Sequence, residues 1–130
     1  MKRRAKTAHL QPYLIRPRIY LGPDLIVGPG KIELLKAVRD TGSISAAART
    51  IGMNYKRAWY LLDTLNKGFH QPVVEATHGG RGGGGARLTA LGATLITSYT
   101  AIAAACAAAA DPQLAALFAL TKLPSQPEQP

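Results

Sequence analysis

The segment from Ser43 to Phe69 constrains the fold more than any other part of this sequence. Ser43 is a good helix N-cap, and apolar or small residues then recur at spacings of three and four through residues 44–51. Gly52 is a residue type that ends helices in the left-handed conformation, and Asn54 is a second N-cap. Two helices joined by a tight turn are therefore predicted. The buried stripe of the second helix is predicted to be Ala58, Leu61, Leu62 and Leu65.

The first of these helices carries small residues where the second helix must cross it. Ala47 and Ala48 fall on its predicted inner face, so the two helices can approach closely. A short helix, a turn at Gly52 and Met53 and a crossing second helix match the helix-turn-helix pattern of DNA-binding proteins. Many unrelated helical hairpins share this pattern, so it favours DNA binding without deciding it.

A helical wheel places the polar residues of the second helix on its outer face. With the leucine stripe inward, Lys56 and Tyr60 point away from the core, and on the two shoulders lie Tyr55, Arg57 and Trp59. Arg or Lys at the start of such a helix can reach guanine O6 and N7, and Tyr can reach phosphate or a thymine methyl group. The arrangement indicates a DNA-reading helix, with a solvated cationic face as the plainer alternative. Trp59 is expected to be mostly in the core or at an interface.

A glycine run follows the second helix, with six glycines in residues 76–89. Residues 72–76 have strand composition and residues 86–89 can form the returning strand, so the run is predicted to be the tip of a hairpin, or wing. Arg81 at this tip and Arg87 on the return strand supply cations, and a narrow minor groove favours arginine. The wing is therefore predicted to enter a DNA groove.

A nucleotide-binding loop is the competing interpretation of the glycines, because Gly80, Gly82 and Gly85 satisfy GxGxxG by count. No GK[ST] follows them, and the position about 20 residues later, where a ribose-binding acid belongs, falls in an alanine tract. No carboxylate pair, Ser/His/Asp set or Cys/His pair suggests catalysis, and no CxxC or CxxH spacing suggests a metal site. The chain is therefore predicted not to be an enzyme and to need no cofactor or metal.

Two further elements are predicted before the helix pair. Apolar residues alternate in residues 19–21 and again in residues 25–27, around a Gly-Pro-Asp turn, which predicts a short hairpin. From Pro29 the apolar period becomes helical until Gly42. A third helix is therefore expected ahead of the helix pair.

A last long helix is predicted over residues 89–110, with Thr89 as its N-cap. Its apolar residues recur at spacings of four and three, which gives one continuous seam. A helix this long has more apolar surface than a small domain needs, so the seam is predicted to form a homodimer contact, with packing on its own domain as the alternative. The seam consists of Leu91, Leu95, Tyr99, Ile102 and Cys106.

Composition predicts the remaining boundaries. Residues 1–16 are basic and without period, which predicts a flexible arm, and residues 17–110 are the predicted winged helix-turn-helix domain with its dimer helix. A short separate helix is predicted over residues 111–122, starting at an Asp-Pro pair. Residues 123–130 are predicted to be a disordered tail.

Charge narrows the class of partner. The 130 residues include 16 Lys and Arg against 7 Asp and Glu, a net charge of +9, which points to a polyanion such as nucleic acid or an acidic membrane face. The single cysteine, Cys106, excludes a disulfide framework. The sequence shows no apolar run of signal-peptide length and no stretch of roughly 18 unbroken apolar residues. The chain is therefore predicted to be soluble and cytoplasmic, with no membrane partner.

Two stretches carry a resemblance to a known family. The sequences GSISAAARTIGMNYKRAW and EATHGGRGGGGARLTALG resemble the N-terminal DNA-binding domain of the molybdate-responsive transcriptional regulators of the ModE type. That domain is a winged helix-turn-helix distantly similar to that of the LysR-type regulators, and the resemblance covers roughly residues 18–105. It implies a dimer that binds palindromic operators of molybdate-uptake genes, with one long helix per subunit at the dimer contact.

The resemblance also bears on site residues. Regulators of that family continue into oxyanion-binding domains, whereas this sequence ends at Pro130, so no small-molecule effector site is expected in the chain. The DNA-contacting roles implied by the family fall on Tyr55, Lys56, Arg57, Tyr60 and Arg81.

The expected fold is mainly α with a small β part, a winged helix-turn-helix with a long C-terminal dimerisation helix. The expected function is sequence-specific binding of double-stranded DNA as a transcriptional regulator. An architectural or partner-binding module without sequence choice is the alternative. The complete set of candidate DNA contacts is Ser43, Ser45, Asn54, Tyr55, Lys56, Arg57, Tyr60, Arg81 and Arg87.

Overall fold

The computed structural model describes residues 14–78 and 85–124, and this part of the chain forms four helices and two small antiparallel sheets. A helix pair followed by a β-hairpin is the arrangement of a winged helix-turn-helix, so the predicted fold class is confirmed. In chain order the elements are β1 (Ile19–Tyr20), β2 (Ile26–Val27), α1 (Pro29–Thr41), α2 (Ile44–Thr50), α3 (Tyr55–Gly68), β3 (Val74–Thr77), β4 (Gly85–Leu88) and α4 (Ala90–Ala119).

Side-chain caps define the starts of three helices, as the sequence predicts. Ser43, Asn54 and Thr89 precede α2, α3 and α4 respectively, and each side chain accepts a hydrogen bond from the backbone N–H three residues later, at 3.1, 3.1 and 3.0 Å. Each bond satisfies an amide that has no partner within its own helix. All three predicted N-caps are therefore confirmed.

Two glycines in the left-handed conformation separate the first three helices. Gly42 ends α1 with φ +74°, and Gly52 lies in the turn between α2 and α3 with φ +69°. Residues with a Cβ rarely adopt these backbone angles, so glycine is required at both positions. The tight turns bring α1, α2 and α3 against one another.

The core lies where α1 packs against α2, α3, α4 and β4. The crossing of α2 and α3 is built on small side chains, because Ala47, Ala48 and Ala58 are all buried there. The predicted inner stripe of α3 is confirmed in full. The larger core residues are Val27, Ile32, Leu34, Leu35, Val38, Leu61, Leu62, Leu65, Val73, Val74, Ile96 and Tyr99.

The predicted wing is a two-stranded hairpin that is fastened to the helices at its base. Strands β3 and β4 pair in antiparallel register, with Val74 opposite Leu88. The backbone N–H of Ala86 donates to the carbonyl of Gly42 at 2.9 Å, which joins β4 to the end of α1. The predicted tip, with Arg81, lies outside the described residues.

Helix α4 is longer than the sequence predicts. One helix runs from Ala90 to Ala119, so the prediction of a separate helix starting at the Asp-Pro pair is wrong. Proline removes one backbone hydrogen bond, here to the carbonyl of Ala108, but its fixed φ is compatible with a helix. Ala108 and Pro112 are both exposed, so water can hydrate the freed carbonyl. The alanines on either side favour the helical state strongly enough to continue it.

The same helix also departs from the expectation that no segment resembles a membrane span. By length and composition alone, α4 is long and apolar enough to cross a membrane, and its most apolar part spans 18 residues. The Thr, Ser, Tyr and Gly residues that interrupt its apolar run are uncharged, so they lower the hydropathy only slightly. Only 11% of that part is buried, which leaves an apolar surface uncovered in the single chain.

Tyr99 joins α4 to the segment that precedes β1. Its ring is buried, and its hydroxyl donates a hydrogen bond to the carbonyl of Pro17 at 2.7 Å. Burial raises the pKa of Tyr99, and the nearby Arg16 guanidinium offsets part of that rise. The contact holds residues 16–18 against the domain.

We expect the phenol of Tyr99 to ionise above the usual tyrosine pKa of about 10. Because the folded-state pKa is the higher one, the folded chain holds this proton more tightly than the unfolded chain. The stability linked to this group is complete below the unfolded pKa and is lost as pH rises through the folded pKa. An ultraviolet titration of tyrosinate, compared between the native chain and Tyr99→Phe, should assign the late ionisation to this residue. A difference curve centred near pH 10 or below would contradict it.

Candidate nucleic-acid interface

The outer face of α3 presents polar and aromatic side chains next to its N-terminus. Tyr55 is 51% exposed and Tyr60 is 61% exposed, and Lys56 and Arg57 are exposed between them. Every large aliphatic residue of the helix lies on the opposite, buried face. The wheel-based prediction of which residues face outward is therefore confirmed, although exposure alone does not assign them a ligand.

Two of these residues place positive charge at the unfavourable end of the helix. Lys56 and Arg57 lie in the first turn of α3, which contains no acidic residue. The helix dipole is positive there, so cations in the first turn cost roughly 0.3–1 kcal/mol. Neither residue is in an ion pair among residues 14–78 and 85–124, whereas Lys67 at the other end of α3 pairs with Asp63 at 2.9 Å. The start of α3 is thus electrostatically complementary to an anion.

Trp59 is not a core residue. Its side chain is 50% exposed, so of the two expected locations the core is wrong, and an interface stays a prediction. Alanines fill the α2–α3 crossing, and a large ring one position beyond Ala58 is turned by about 100° to the shoulder of the helix. There it lines a cavity of about 150 Å³ with Ile44, Val74 and Gly85. Trp59 therefore lies between the outer face of α3 and the base of the wing.

The smaller candidate residues are placed at helix starts. The Ser43 hydroxyl and the Asn54 side chain each accept a backbone hydrogen bond as caps, and Asn54 is exposed. Ser45 is exposed in the first turn of α2, where its hydroxyl accepts from the Arg49 guanidinium at 3.4 Å. Ser45 and Asn54 are accessible to a ligand, whereas Ser43 is half-buried.

The wing cation that the structure describes has a partner. Arg87 forms an ion pair with Glu75 on the facing strand, with Nη2 and Oε2 2.6 Å apart. Both side chains are substantially exposed, at 68% and 40%, so the pair contributes little to stability. The positive charge predicted for the return strand is therefore partly offset by Glu75.

Asn66 fixes the wing to α3, a role that the sequence did not indicate. Its side-chain oxygen accepts from the backbone N–H of Val73 at 2.7 Å, and its amide nitrogen donates to the carbonyl of Val74 at 3.1 Å. The side chain thus substitutes for a neighbouring strand at the start of β3. Asparagine on a helix shoulder is an ordinary surface residue by pattern, so no local signal distinguishes it.

The predicted dimer seam divides into two parts along α4. Leu91, Leu95 and Tyr99 pack against the core of their own domain. Ile102 is 42% exposed and Cys106 is half-buried. Further along the same helix and just beyond it, Leu117, Leu120 and Leu123 are exposed.

The sequence shows similarity to one family of bacterial regulators. The profile described as "Bacterial regulatory helix-turn-helix protein, lysR family" matches residues 30–93. The molybdenum-pterin-binding protein MopA of Rhodobacter capsulatus is 51% identical over 69 residues, and the transcriptional regulator ModE of Yersinia pestis is 44% identical over 71 residues. These matches cover 53% and 55% of this chain, but only 26% and 27% of the relatives, so the matched part spans about a quarter of their length.

A solved structure has the same fold. The crystal structure titled CbnR_DBD-DNA complex matches with a TM-score of 0.52 and 20% sequence identity, and the match covers 68% of this chain and 95% of that one. The sequence profile over residues 30–93 spans α2 and α3. Residues 30–93 therefore match the lysR-family helix-turn-helix profile, and this part of the chain is similar in sequence to ModE and MopA.

Proposed function

We propose that this chain is a sequence-specific DNA-binding transcriptional regulator that places α3 in the major groove. The observation that carries the proposal is the start of α3, where Lys56 and Arg57 are exposed and lack an acidic partner among the described residues. A cationic, hydrogen-bonding helix start on a helix-turn-helix is the arrangement that reads base edges. Similarity to transcriptional regulators such as ModE supports the same function.

The residues of the outer face suit different parts of a DNA duplex. Lys56 at the centre of the face can donate to guanine O6 and N7. Tyr55 and Tyr60 border it and can contact phosphate or a thymine methyl group. The base of the wing lies beside Trp59, and we propose that the hairpin enters a groove next to the one that α3 occupies. Similarity to bacterial regulators supports a cytoplasmic location for this function.

We propose further that two copies of the chain associate through the exposed part of α4, from Ile102 to Ala119, together with the adjoining Leu120. This stretch is apolar, mostly exposed and longer than its own domain can cover. A second copy covers it with the same surface, as in a symmetric dimer, and a symmetric dimer matches a two-fold DNA site.

Selection of bound sequences from random duplex DNA at physiological salt tests both parts. A dimeric regulator should enrich an inverted repeat, with half-site centres about 10–10.5 base pairs apart or a multiple of that spacing. Enrichment of no motif would contradict sequence-specific binding and favour an architectural protein. Enrichment of a single half-site, with a monomeric mass in sedimentation equilibrium, would contradict the dimer.

A further inference from the structure

A cationic cleft lies on the flank of α3, next to the proposed base-reading face. It has a volume of about 580 Å³ and is bounded by the β1–β2 hairpin, the start of α1 and the side of α3. Four cations line it with only one carboxylate, that of Asp24, among the described residues. The four cations are Arg16, Arg18, Lys31 and Arg57.

The four cations outnumber the one carboxylate that lines the cleft with them. None of them forms an ion pair in the part of the chain that the structure describes. The Lys31 ammonium donates to the carbonyl of Ile26 at 2.6 Å. Burial lowers the pKa of Lys31, and the positive charge of the nearby Arg18 guanidinium lowers it further. Four cations and one carboxylate leave an excess of positive charge in the cleft, and an anion bound there would relieve the repulsion among the cations.

The start of α1 adds to the preference for an anion. The N-cap of α1 is Gly28, which provides no side-chain hydrogen bond, and the first turn of the helix has no acidic residue. Gly30 and Lys31 line the cleft, and first-turn amides have no acceptor within their own helix. Lys31 thus places a cation near the start of α1, where acidic residues are the usual choice.

The position of the cleft connects it to α3. Tyr60 lines the cleft and also borders the outer face that carries Lys56, so the two surfaces are continuous. Arg57 lines the cleft and does not border the outer face around Lys56. A duplex lying on Lys56 and Tyr60 would bring its sugar-phosphate backbone to the mouth of the cleft. The arginines at the rim of the cleft are exposed, so the cleft suits a sugar-phosphate backbone that passes along the rim better than an enclosed small molecule.

We propose that this cleft binds a backbone phosphate of DNA beside the base pairs that α3 contacts, with Arg16, Arg18 and Arg57 as its ligands. The assignment rests on the proposed DNA-binding function. It changes the expected role of Arg57 from a base contact to a phosphate contact. It also gives the Tyr99–Pro17 hydrogen bond a role, because that bond holds the backbone between Arg16 and Arg18 in place.

The test is the salt dependence of DNA binding by the full chain. Fluorescence anisotropy should be measured for the selected duplex and a scrambled duplex, across roughly 50–200 mM salt. Arg18→Ala should reduce the slope of log affinity against log salt by about 0.9, which corresponds to roughly an eightfold loss near 0.1 M salt. The loss should be equal for both duplexes, because a phosphate contact carries no sequence information.

Lys67→Ala is the matched control, because it removes the same charge from an ion pair at the far end of α3. It should leave the slope unchanged, and Arg16→Ala should repeat the Arg18→Ala result. If the native chain binds both duplexes and Arg18→Ala has the same salt slope as the native chain, the cleft assignment alone would be overturned. A native chain that binds neither duplex would instead overturn the proposed function. Saturable binding of inorganic phosphate in calorimetry, with no change in the DNA slope, would assign the cleft to a free anion and overturn the DNA assignment.

Discussion

Replacing Gly92 by alanine is expected to lower the free energy of unfolding by about 2–3 kcal/mol. A Cβ at this position in the first turn of α4 would lie 2.3 Å from the carbonyl oxygen of Val73 and 2.6 Å from Cδ1 of Leu88. The Val73 carbonyl has little freedom to move, because it accepts the backbone N–H of Thr89 at 2.9 Å. The added methyl group must therefore push α4 away from the base of the wing.

Gly30→Ala is the matched control for this prediction. It makes the same chemical change in the first turn of another helix, where an added Cβ meets nothing within 4 Å. Its effect on unfolding should be neutral or stabilising by about 0.4–1 kcal/mol, through the reduced entropy of the unfolded chain. Urea unfolding of both variants gives the comparison. Equal stability of Gly92→Ala and Gly30→Ala would show that α4 does not approach the wing as closely as described.

Replacing Lys56 by alanine is expected to weaken binding to the selected operator by about 1–3 kcal/mol, the range for a good base contact. Lys56 is exposed at the centre of the outer face of α3, so its loss should not lower the thermal unfolding temperature, and removing a cation from the positive end of the helix dipole should raise it slightly. Binding to scrambled duplex should fall much less, because that duplex offers no matched base. The Lys56→Ala variant should therefore discriminate less between bases at one position of the operator.

Lys67→Ala provides the comparison within the same helix. It removes an equal charge from an exposed side chain that pairs with Asp63, away from the N-terminal end of α3. The operator affinity of Lys67→Ala should exceed that of Lys56→Ala by at least fivefold, which is equivalent to about 1 kcal/mol. Equal losses in the two lysine variants, or equal losses on operator and scrambled duplex, would remove Lys56 from the base contacts.

Sequence pattern predicts the local parts of this structure well. Ser43, Asn54 and Thr89 cap their helices as expected, because an N-cap and its amide partner are only three residues apart. The inward stripe of α3 follows from a fixed rotation of about 100° per residue. These signals are contained within a few turns of one element, so they hold without knowledge of the tertiary fold.

Features that depend on distant residues were not predictable in the same way. The hydrogen bond from Tyr99 to Pro17 joins residues 82 positions apart, and Tyr99 is buried in its own domain, which was the alternative to the dimer seam. The cleft combines cations from three separate elements, so no single stretch of sequence displays it. The exposure of Trp59 depends on how completely alanines fill the crossing beside it.

Helix propensity also competed with a strong local signal in α4. Proline at residue 112 predicts a boundary, but the exposed alanines around it keep the helix continuous. The continuous helix extends the apolar surface available to a second copy beyond the predicted seam.

The central claim is that α3 reads DNA sequence, and the ratio of two affinities tests it most directly. The full chain should be titrated at physiological salt with the duplex enriched by selection and with a duplex of the same composition in scrambled order. A sequence-reading α3 predicts binding to the enriched duplex that is about 10³-fold tighter or more. A ratio near one would contradict it, since cations on a helix-turn-helix would then contact only the phosphate backbone.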